Sequence, residues 1–428
     1  MTLPYRIAMV GGRPAPIAGA RELGIDVVLV HEEGRYDPVI ARHCERIVHA
    51  PINDGPAILA ALRPLHEERP FDRVLTTSEP AGIAVGHVVT ALGLPGVGEE
   101  TARVLKDKWL MRERLAEHGL SPVRHRLLHS PQDAADFFEE LGTGRAVIKP
   151  VDGAASRHIL LVSSAHEAAL AFKTVEQDGG SAALGEEYLE GPVVAADSFS
   201  HGGRHVVIGF SEYRINERFV EWEVSAPSRV VADQEDALRE LTVRLLDAIG
   251  LTEGPSYSEF VLTADGPRVL ESHARLGGCG APELARRAFG LDPARMLLTV
   301  PLGIEELPAA SPAPLGGAAL RYLTPRPGTV TSVTVDEDLP AVVRRIPEGV
   351  TNDLYLPFFD ELSHHETGAA IALNPGERVP ELLTLAHASA GYVISSGRDA
   401  DEAVDRCARV AEGIRIETDG LTDGVTQS

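Results

Sequence analysis

Lysine is scarce in this chain of 428 residues. Lys and Arg together number 40, but only four are lysines: Lys106, Lys108, Lys149 and Lys173. Asp and Glu number 63, so the formal net charge is −23 at pH 7. A protein that binds nucleic acid or an anionic membrane needs a basic surface that displaces counterions from the phosphates. The charge balance therefore argues against both as main partners.

Cysteines and long apolar runs are also few or missing. Cys44, Cys279 and Cys407 are far apart and form no CxxC pair, which fits neither a disulfide framework nor a structural zinc site. The N-terminus, MTLPYRIAMVGG, lacks the features of a signal peptide, and no run of about eighteen apolar residues occurs. We therefore expect a cytoplasmic protein in a reducing compartment.

The length and the 44% hydrophobic content are sufficient for roughly two to four domains with buried cores. From Tyr5 onward, apolar strands alternate with amphipathic helices, which predicts the opening of a doubly wound α/β sheet. The pair Gly11-Gly12 follows the first strand, but GGRPAP lacks the GxGxxG spacing. A tight turn between strand and helix is therefore favoured over a dinucleotide site.

Two later segments predict domain boundaries. Residues 93–123 indicate a turn-rich connector followed by one charged amphipathic helix that ends at Gly119. Residues 308–319, PAASPAPLGGAA, are typical of a linker. Short strands and a closing helix are expected after this linker.

Two of the four lysines lie beside possible phosphate-binding features. Lys108 begins the charged helix, and Lys149 ends the apolar strand AVIKP, three residues before a loop of small residues at 152–158. A lysine ammonium can meet a single phosphate oxygen, and small residues let backbone N–H groups approach phosphate closely. Surface lysines and a plain hairpin turn remain alternative explanations for each feature alone.

Two carboxylates lie on the two strands of a predicted hairpin. Glu259 in SEFVLT and Glu271 in VLESHAR are separated by the turn ADGP. Facing each other across the strands, they could share one or two Mg²⁺ ions, although two solvated carboxylates are the alternative. Alternation along the strand places His273 and Arg275 on the same face as Glu271.

The order of these elements resembles the ATP-grasp superfamily, and the resemblance covers nearly the whole chain. It implies an ATP-grasp fold, of mixed α/β and α+β class, with five regions. They are an N-terminal Rossmann-like domain (1–107), a lid subdomain with the phosphate loop (108–193), a catalytic subdomain (194–310), a C-terminal α+β subdomain (311–416) and a flexible tail (417–428).

The resemblance also implies a nucleotide site. Lys108 and Lys149 would contact the ATP phosphates, and Ser156 would contact them from the loop that closes over the nucleotide. Glu186 would bond the adenine amino group, and the backbone of Glu187 and Leu189 would supply the hinge contacts. Glu259 and Glu271 would hold Mg²⁺, for which Mn²⁺ can substitute, and His273 would be a weaker ligand.

Catalytic and substrate residues follow from the same resemblance. Arg275 would stabilise an acyl phosphate and the tetrahedral species after it, with Lys149 neutralising charge. The substrate pocket would include Glu79, Arg275, Gly277, Gly278 and Cys279.

Within the superfamily, the form ESHARLGG and the C-terminal region are similar to bacterial L-amino-acid ligases. This similarity implies ATP-dependent amide formation between two small amino acids or between an acid and an amino acid, with small-molecule carboxylate and amine partners and a possible homodimer. Another ATP-grasp reaction, of a purine-pathway carboxylase or formyltransferase-like enzyme, is one alternative. A nucleotide-binding protein without catalysis is the other.

Four positions depart from the family pattern. His273 replaces the usual Asn of the metal motif, and His158 stands where the phosphate loop usually has Gly. Val193 replaces a ribose-binding Glu, and Cys279 stands where Asp is frequent. A lone Cys is more often a small packing group than a nucleophile, so no covalent role is expected for it.

Overall fold

The computed structural model describes residues 5–12, 14–153, 157–180, 182–346, 361–384 and 387–420. Its strands are β1 (Arg6–Val10), β2 (Asp26–His31), β3 (Arg46–His49), β4 (Arg73–Leu75), β5 (His125–Leu128), β6 (Ala146–Pro150), β7 (Leu160–Val162), β8 (Ala183–Glu187), β9 (Val193–His201), β10 (Arg204–Ile215), β11 (Glu221–Ala226), β12 (Gly254–Thr263), β13 (Gly266–His273), β14 (Gly317–Tyr322), β15 (Gly328–Val335), β16 (Val342–Arg345), β17 (Thr367–Ile371), β18 (Arg378–Val379), β19 (Gly391–Gly397) and β20 (Ile414–Thr418). Its α-helices are α1 (Pro14–Glu22), α2 (Gly55–Glu68), α3 (Gly82–Leu92), α4 (Glu99–Lys106), α5 (Lys108–Glu117), α6 (Pro131–Leu141), α7 (Ala165–Gln177), α8 (Glu235–Ala248), α9 (Ala281–Phe289), α10 (Pro293–Thr299) and α11 (Ala400–Glu412).

The first four strands form a parallel sheet in the order β3-β2-β1-β4. Helices α2 and α3 cover one face, while α1 covers the other together with Leu298 and Leu302, at and just after α10. Strand β1 is buried along its whole length, as expected for a parallel sheet covered on both faces. Gly11 and Gly12 have φ values of 61° and 129°, so the predicted tight turn is confirmed.

The predicted single helix before Gly119 is in fact two helices, α4 and α5. Asp107 is extended between them, and its carboxylate accepts bonds from the N–H groups of Trp109 and Leu110 at 2.9 and 3.1 Å. A carboxylate in this position is a favourable N-cap, so the chain starts a new helix rather than continuing the old one. The break places Lys108 at the first position of α5, where its N–H donates to Val151 at 2.8 Å.

Strands β5, β8, β6 and β7 form a separate antiparallel sheet in that order. Helices α6 and α7 pack on one of its faces against a core that includes Ile148. Because side chains alternate along a strand, Lys149 projects to the opposite face. Glu186 shares that face, since it pairs with Val147 on the neighbouring strand.

Nine strands form the largest sheet, in the order β13-β12-β9-β10-β11-β14-β19-β17-β16. The expected boundary at residue 310 therefore falls between strands of one continuous sheet. The expected linker at 308–319 is too long, because Gly317 to Ala319 begin β14 and are buried. A smaller sheet, β18-β15-β20, completes the C-terminal part, and α11 packs against the core next to it.

Within the described ranges, no helix is both long enough and apolar enough to cross a membrane.

Gly317 offers a test of how the C-terminal helix docks on the large sheet. A Cβ at Gly317 would lie 2.0 Å from the backbone carbon and oxygen of Asp399, the residue that caps α11. Backbone cannot give way like a flexible side chain, so we expect Gly317→Ala to destabilise the fold by ~1–3 kcal/mol. Thermal unfolding measures this, with Gly82→Ala as control because nothing lies within 4 Å of its added Cβ. Equal melting temperatures for the two variants would contradict the close approach.

Candidate active site

The two predicted carboxylates lie opposite each other on the paired strands β12 and β13. Glu259 on β12 is the direct register partner of Glu271 on β13, and Tyr257 is the partner of His273. The chain has a register shift just after Glu259. The hairpin therefore presents two carboxylates side by side on one face.

Lys108 neutralises one of these carboxylates. Its ammonium lies 2.9 Å from Glu271 Oε2 and donates to the carbonyl of Gly153, also at 2.9 Å. Burial alone would lower the pKa of Lys108, but Glu271 raises it above its usual value. Burial would likewise raise the pKa of Glu271, but Lys108 and His273 hold it well below its usual value. The pair is thus fully ionised and links the hairpin to the start of the phosphate loop.

Glu259 forms no ion pair within the described residues, although Arg275 and Lys108 oppose the rise of its pKa. Burial, together with the charges of Glu271 and Glu221, raises the pKa of Glu259 well above its usual range. Burial and the charge of Glu271 also raise the pKa of the half-buried Glu221, at the start of β11. Crowded carboxylates with this electrostatic penalty are stabilised by a cation. The site fits Mg²⁺, which takes one or two protein carboxylates and fills its other positions with phosphate and water oxygens.

His273 does not extend the pair to a three-residue metal centre. Its Nε2 lies 3.3 Å from Glu271 Oε1, and no three His, Cys, Asp or Glu side chains in the described parts of the chain are grouped to hold an ion. The imidazole is 9% exposed. In this arrangement it orients Glu271.

A second buried charge cluster lies between helix α5 and the four-stranded sheet. Glu186 accepts bonds from both Lys149 and Arg112: Lys149 Nζ is 2.5 Å from Oε2, and Arg112 Nε bonds Oε1. Burial would raise the pKa of Glu186, but the two cations lower it to about 2. Burial, Arg112 and Lys108 together outweigh Glu186 and lower the pKa of Lys149. Two cations share one carboxylate, so the cluster has a surplus of positive charge.

Glu186 was expected to bond the adenine amino group, but both oxygens of its carboxylate already accept a bond from a cation. Next to it, the Glu187 N–H donates to the Arg124 carbonyl at 2.9 Å. The Glu187 side chain pairs with the Arg124 guanidinium. Leu189 is half-buried just after β8. The expected adenine contacts of these three residues stay predictions.

The phosphate loop is described only in part. Ser156, expected to contact phosphate, lies outside the described residues. His158 has φ of 56°, in the left-handed region where the family pattern has Gly, and its Nε2 lies 3.3 Å from Asp178. The loop therefore keeps the Gly-type backbone at His158, while the side chain is held on the lid.

The predicted catalytic arginine is held by a residue from the N-terminal domain. Glu79 Oε2 accepts bonds from Nε and Nη2 of Arg275 at 3.1 and 2.9 Å, and Glu79 Oε1 accepts one from Lys106 at 3.2 Å. Burial would raise the pKa of Glu79, but Arg275, His273 and Lys106 lower it. These groups also border a cavity of about 130 Å³ between the N-terminal domain and the large sheet.

Gly277, Gly278 and Cys279 form the turn that leads from the hairpin into α9. A Cβ at Gly277 would lie 2.5 Å from the ring of Tyr257, so only glycine fits there. Cys279 has φ of 51°, a conformation that Asn and Asp tolerate better than most residues. Burial and the nearby carboxylates raise the pKa of its thiol far above the usual range, which argues against a thiolate nucleophile.

Three residues beside the predicted set were not found from the sequence: Arg112, Glu221 and Asp197. Arg112 lies one turn after Lys108 on α5, a spacing that places both on one helix face. Glu221 lies in an acidic stretch that resembles an exposed strand. Asp197 lies on β9 opposite Tyr257, in a strand otherwise rich in small and apolar residues.

Comparison with known proteins agrees with this geometry. Residues 17–96 match the ATP-grasp N-terminal domain family, and residues 144–283 match the ATP-grasp domain family. Together the two matches cover a little over half of the chain. The chain belongs to the ATP-grasp superfamily. The predicted family and fold class are thereby confirmed.

Individual relatives are distant. The uncharacterized protein y4rH of Sinorhizobium fredii is 28% identical over 62% of this chain and 56% of its own length. An L-arginine-specific L-amino acid ligase of Bacillus subtilis is 21% identical over 63% of this chain and 67% of its own. The chain thus spans between about half and two thirds of these relatives. Purine-pathway synthetases are also among its relatives.

The fold similarity extends over nearly the whole chain. The crystal structure of an L-amino acid ligase from Bacillus licheniformis has a TM-score of 0.76 and 20% sequence identity, covering 98% of this chain and 100% of that one. At this identity the similarity concerns the fold.

The pH dependence of stability tests the burial of Asp197 on β9 of the nine-stranded sheet. Burial raises the pKa of Asp197 from 3.8 to about 7. The folded chain keeps a proton that the unfolded chain has released in this range, so this group makes stability fall as pH rises from about 4 to 7. We expect Asp197→Asn, which stays neutral, to gain stability over wild type by roughly 2 to 4 kcal/mol across that window and then level off.

Melting temperatures of both proteins between pH 4 and 8 measure this difference. Asp265→Asn, in the exposed hairpin turn, is the control for the loss of a carboxylate at the surface. If the difference in melting temperature between Asp197→Asn and wild type did not change with pH, burial would not be raising the pKa of Asp197.

Proposed function

We propose that this chain is an ATP- and Mg²⁺-dependent ligase. It would activate the carboxylate of one amino acid as an acyl phosphate and join it to the amine of a second amino acid. ADP and phosphate would be released. The observation that carries the proposal is the separation of charge in the site. A cluster with surplus positive charge, Lys149 with Arg112 and Glu186, lies on the four-stranded sheet, and a group of crowded carboxylates, the ionised Glu271 with Glu259 and Glu221, lies on the large sheet. Phosphates and a divalent cation are complementary to this pattern.

The reaction would have two steps. A carboxylate oxygen of the acid attacks the γ-phosphorus, and the bond from that phosphorus to the bridging oxygen breaks, which gives an acyl phosphate and ADP. The amine then attacks the acyl carbon, loses a proton and displaces phosphate. Bound Mg²⁺, held by Glu259 and Glu271, would neutralise charge on the phosphate oxygens.

The chain's own residues would act by position and charge. Lys149 and Lys108 would bind phosphate oxygens, and Arg275 would stabilise the charge that develops at the acyl group. The ion pair with Glu79 fixes the Arg275 guanidinium beside the hairpin before any substrate arrives. The lid would exclude water from an intermediate that water can hydrolyse.

Amino acids are proposed as substrates because of the similarity to L-amino acid ligases in sequence and fold. The proposal also keeps the expected cytoplasmic location and homodimer as predictions. The purine-pathway relatives favour a second candidate, the carboxylation of aminoimidazole ribonucleotide with bicarbonate. An assay of phosphate release decides between the two candidates. Release is measured with pairs of amino acids and, separately, with aminoimidazole ribonucleotide and bicarbonate.

Lys149→Met and Glu271→Gln test the site. Each removes a charge that compensates the transition state, so we expect turnover of the folded protein to fall at least roughly a hundredfold. Each also leaves a buried group, Glu186 or Lys108, with one charged partner fewer, so the melting temperature should fall as well, and turnover is measured well below it. Lys173→Met is the matched control because this lysine is exposed on α7; it should leave turnover unchanged. Turnover near the wild-type rate in either site variant would overturn the assignment.

The products test the reaction class. Purified enzyme with ATP, Mg²⁺ and a pooled amino-acid mixture should give ADP, phosphate and a new amide that mass spectrometry identifies. Formation of AMP and pyrophosphate instead would rule out the acyl-phosphate route.

A further inference from the structure

Arg112 is buried to an unusual degree for a charged side chain and is only partly bonded. It is 2% exposed, and its Nε bonds Glu186 Oε1. Its two terminal nitrogens, Nη1 and Nη2, are buried and meet no hydrogen-bond acceptor in the described structure. A buried donor without an acceptor is costly, so such a group calls for an explanation.

The other oxygen of Glu186 depends on a residue that has a second task. Glu186 Oε2 is bound by the Lys149 ammonium at 2.5 Å. If Lys149 turns to a phosphate of bound nucleotide, Oε2 loses its partner inside the protein. A carboxylate that is 3% exposed cannot recover this bond from bulk water.

We propose that Arg112 is a positioning residue that takes over Glu186 when Lys149 moves to the nucleotide. A guanidinium presents Nε and one Nη as parallel donors, the geometry that a carboxylate accepts with both oxygens. The Nε bond to Oε1 is already made, so only a small rotation brings an Nη to Oε2. One of the two unsatisfied nitrogens of the ligand-free state thereby becomes bonded in the nucleotide-bound state.

This arrangement lowers the cost of releasing Lys149. Lys149 and Arg112 share the single carboxylate of Glu186, which leaves a surplus positive charge in this cluster. The anionic nucleotide neutralises that charge. A lysine at position 112 would keep the charge but could not form the paired bond. The inference rests on the nucleotide binding contained in the proposed function, but not on which acid and amine are joined.

The test compares Arg112→Lys with wild type for binding of Mg²⁺ with a non-hydrolysable ATP analogue by calorimetry. We expect a dissociation constant at least roughly ten times larger, the effect of one lost hydrogen bond to a buried charge. The melting temperature without nucleotide should change little, because a lysine keeps the single bond to Oε1. Arg114→Lys, at a half-buried position of the same helix where the guanidinium pairs with the exposed Glu100, is the control and should bind the analogue like wild type.

A double-mutant cycle separates this role from general packing. In a Glu186→Gln background the amide needs no second charged donor, so Arg112→Lys should there cost less than about threefold in affinity. An equal loss in both backgrounds would overturn the proposal. The proposal would also be overturned if Arg112→Lys lowered the ligand-free melting temperature enough to explain the whole loss of nucleotide binding.

The four lysines make the movement of Lys149 directly observable. ¹⁵N-lysine labelling gives at most four ammonium signals, which Lys→Arg variants assign. The Lys149 signal should shift when the analogue binds, and an unchanged Lys149 signal in saturated protein would refute the exchange of partners. Absence of any analogue binding by wild type would overturn the proposed function as well, whereas normal wild-type binding with an unaffected Arg112→Lys variant overturns this inference alone.

Discussion

The position of one buried ammonium, that of Lys108, determines how the loop after β6, helix α5 and the hairpin of β12 and β13 fit together. It binds Glu271 and the Gly153 carbonyl at 2.9 Å each. Its backbone N–H is available to Val151 only because Asp107 ends one helix and begins another. An unpaired ammonium at this depth would be costly, so the three elements are favoured in one arrangement.

Helix α5 carries a second charge to the same region. Lys108 and Arg112 lie one turn apart, and the first reaches Glu271 on the hairpin while the second reaches Glu186 on the four-stranded sheet. The short rigid helix therefore fixes the distance between the negative and the positive side of the site. A helix that continued unbroken from α4 would rotate both side chains away from these partners.

Local patterns predicted part of this site, and long-range contacts explain what they missed. The pairing of Glu259 with Glu271 follows from strand alternation around a short turn, so the sequence was sufficient. The break at Asp107 was missed because the flanking residues favour a continuous helix and one capping carboxylate reverses that preference. The contact of Glu79 with Arg275 joins residues 196 positions apart, and no local periodicity encodes such a contact.

That long-range contact has a consequence for how the domains can be recombined. The side chain proposed to stabilise the acyl group is oriented by a residue from a different domain. A chimera that exchanged the N-terminal domain for one without an acidic residue at this place would leave a guanidinium unpaired at the domain interface. The two segments therefore have to be inherited, or engineered, as a matched pair.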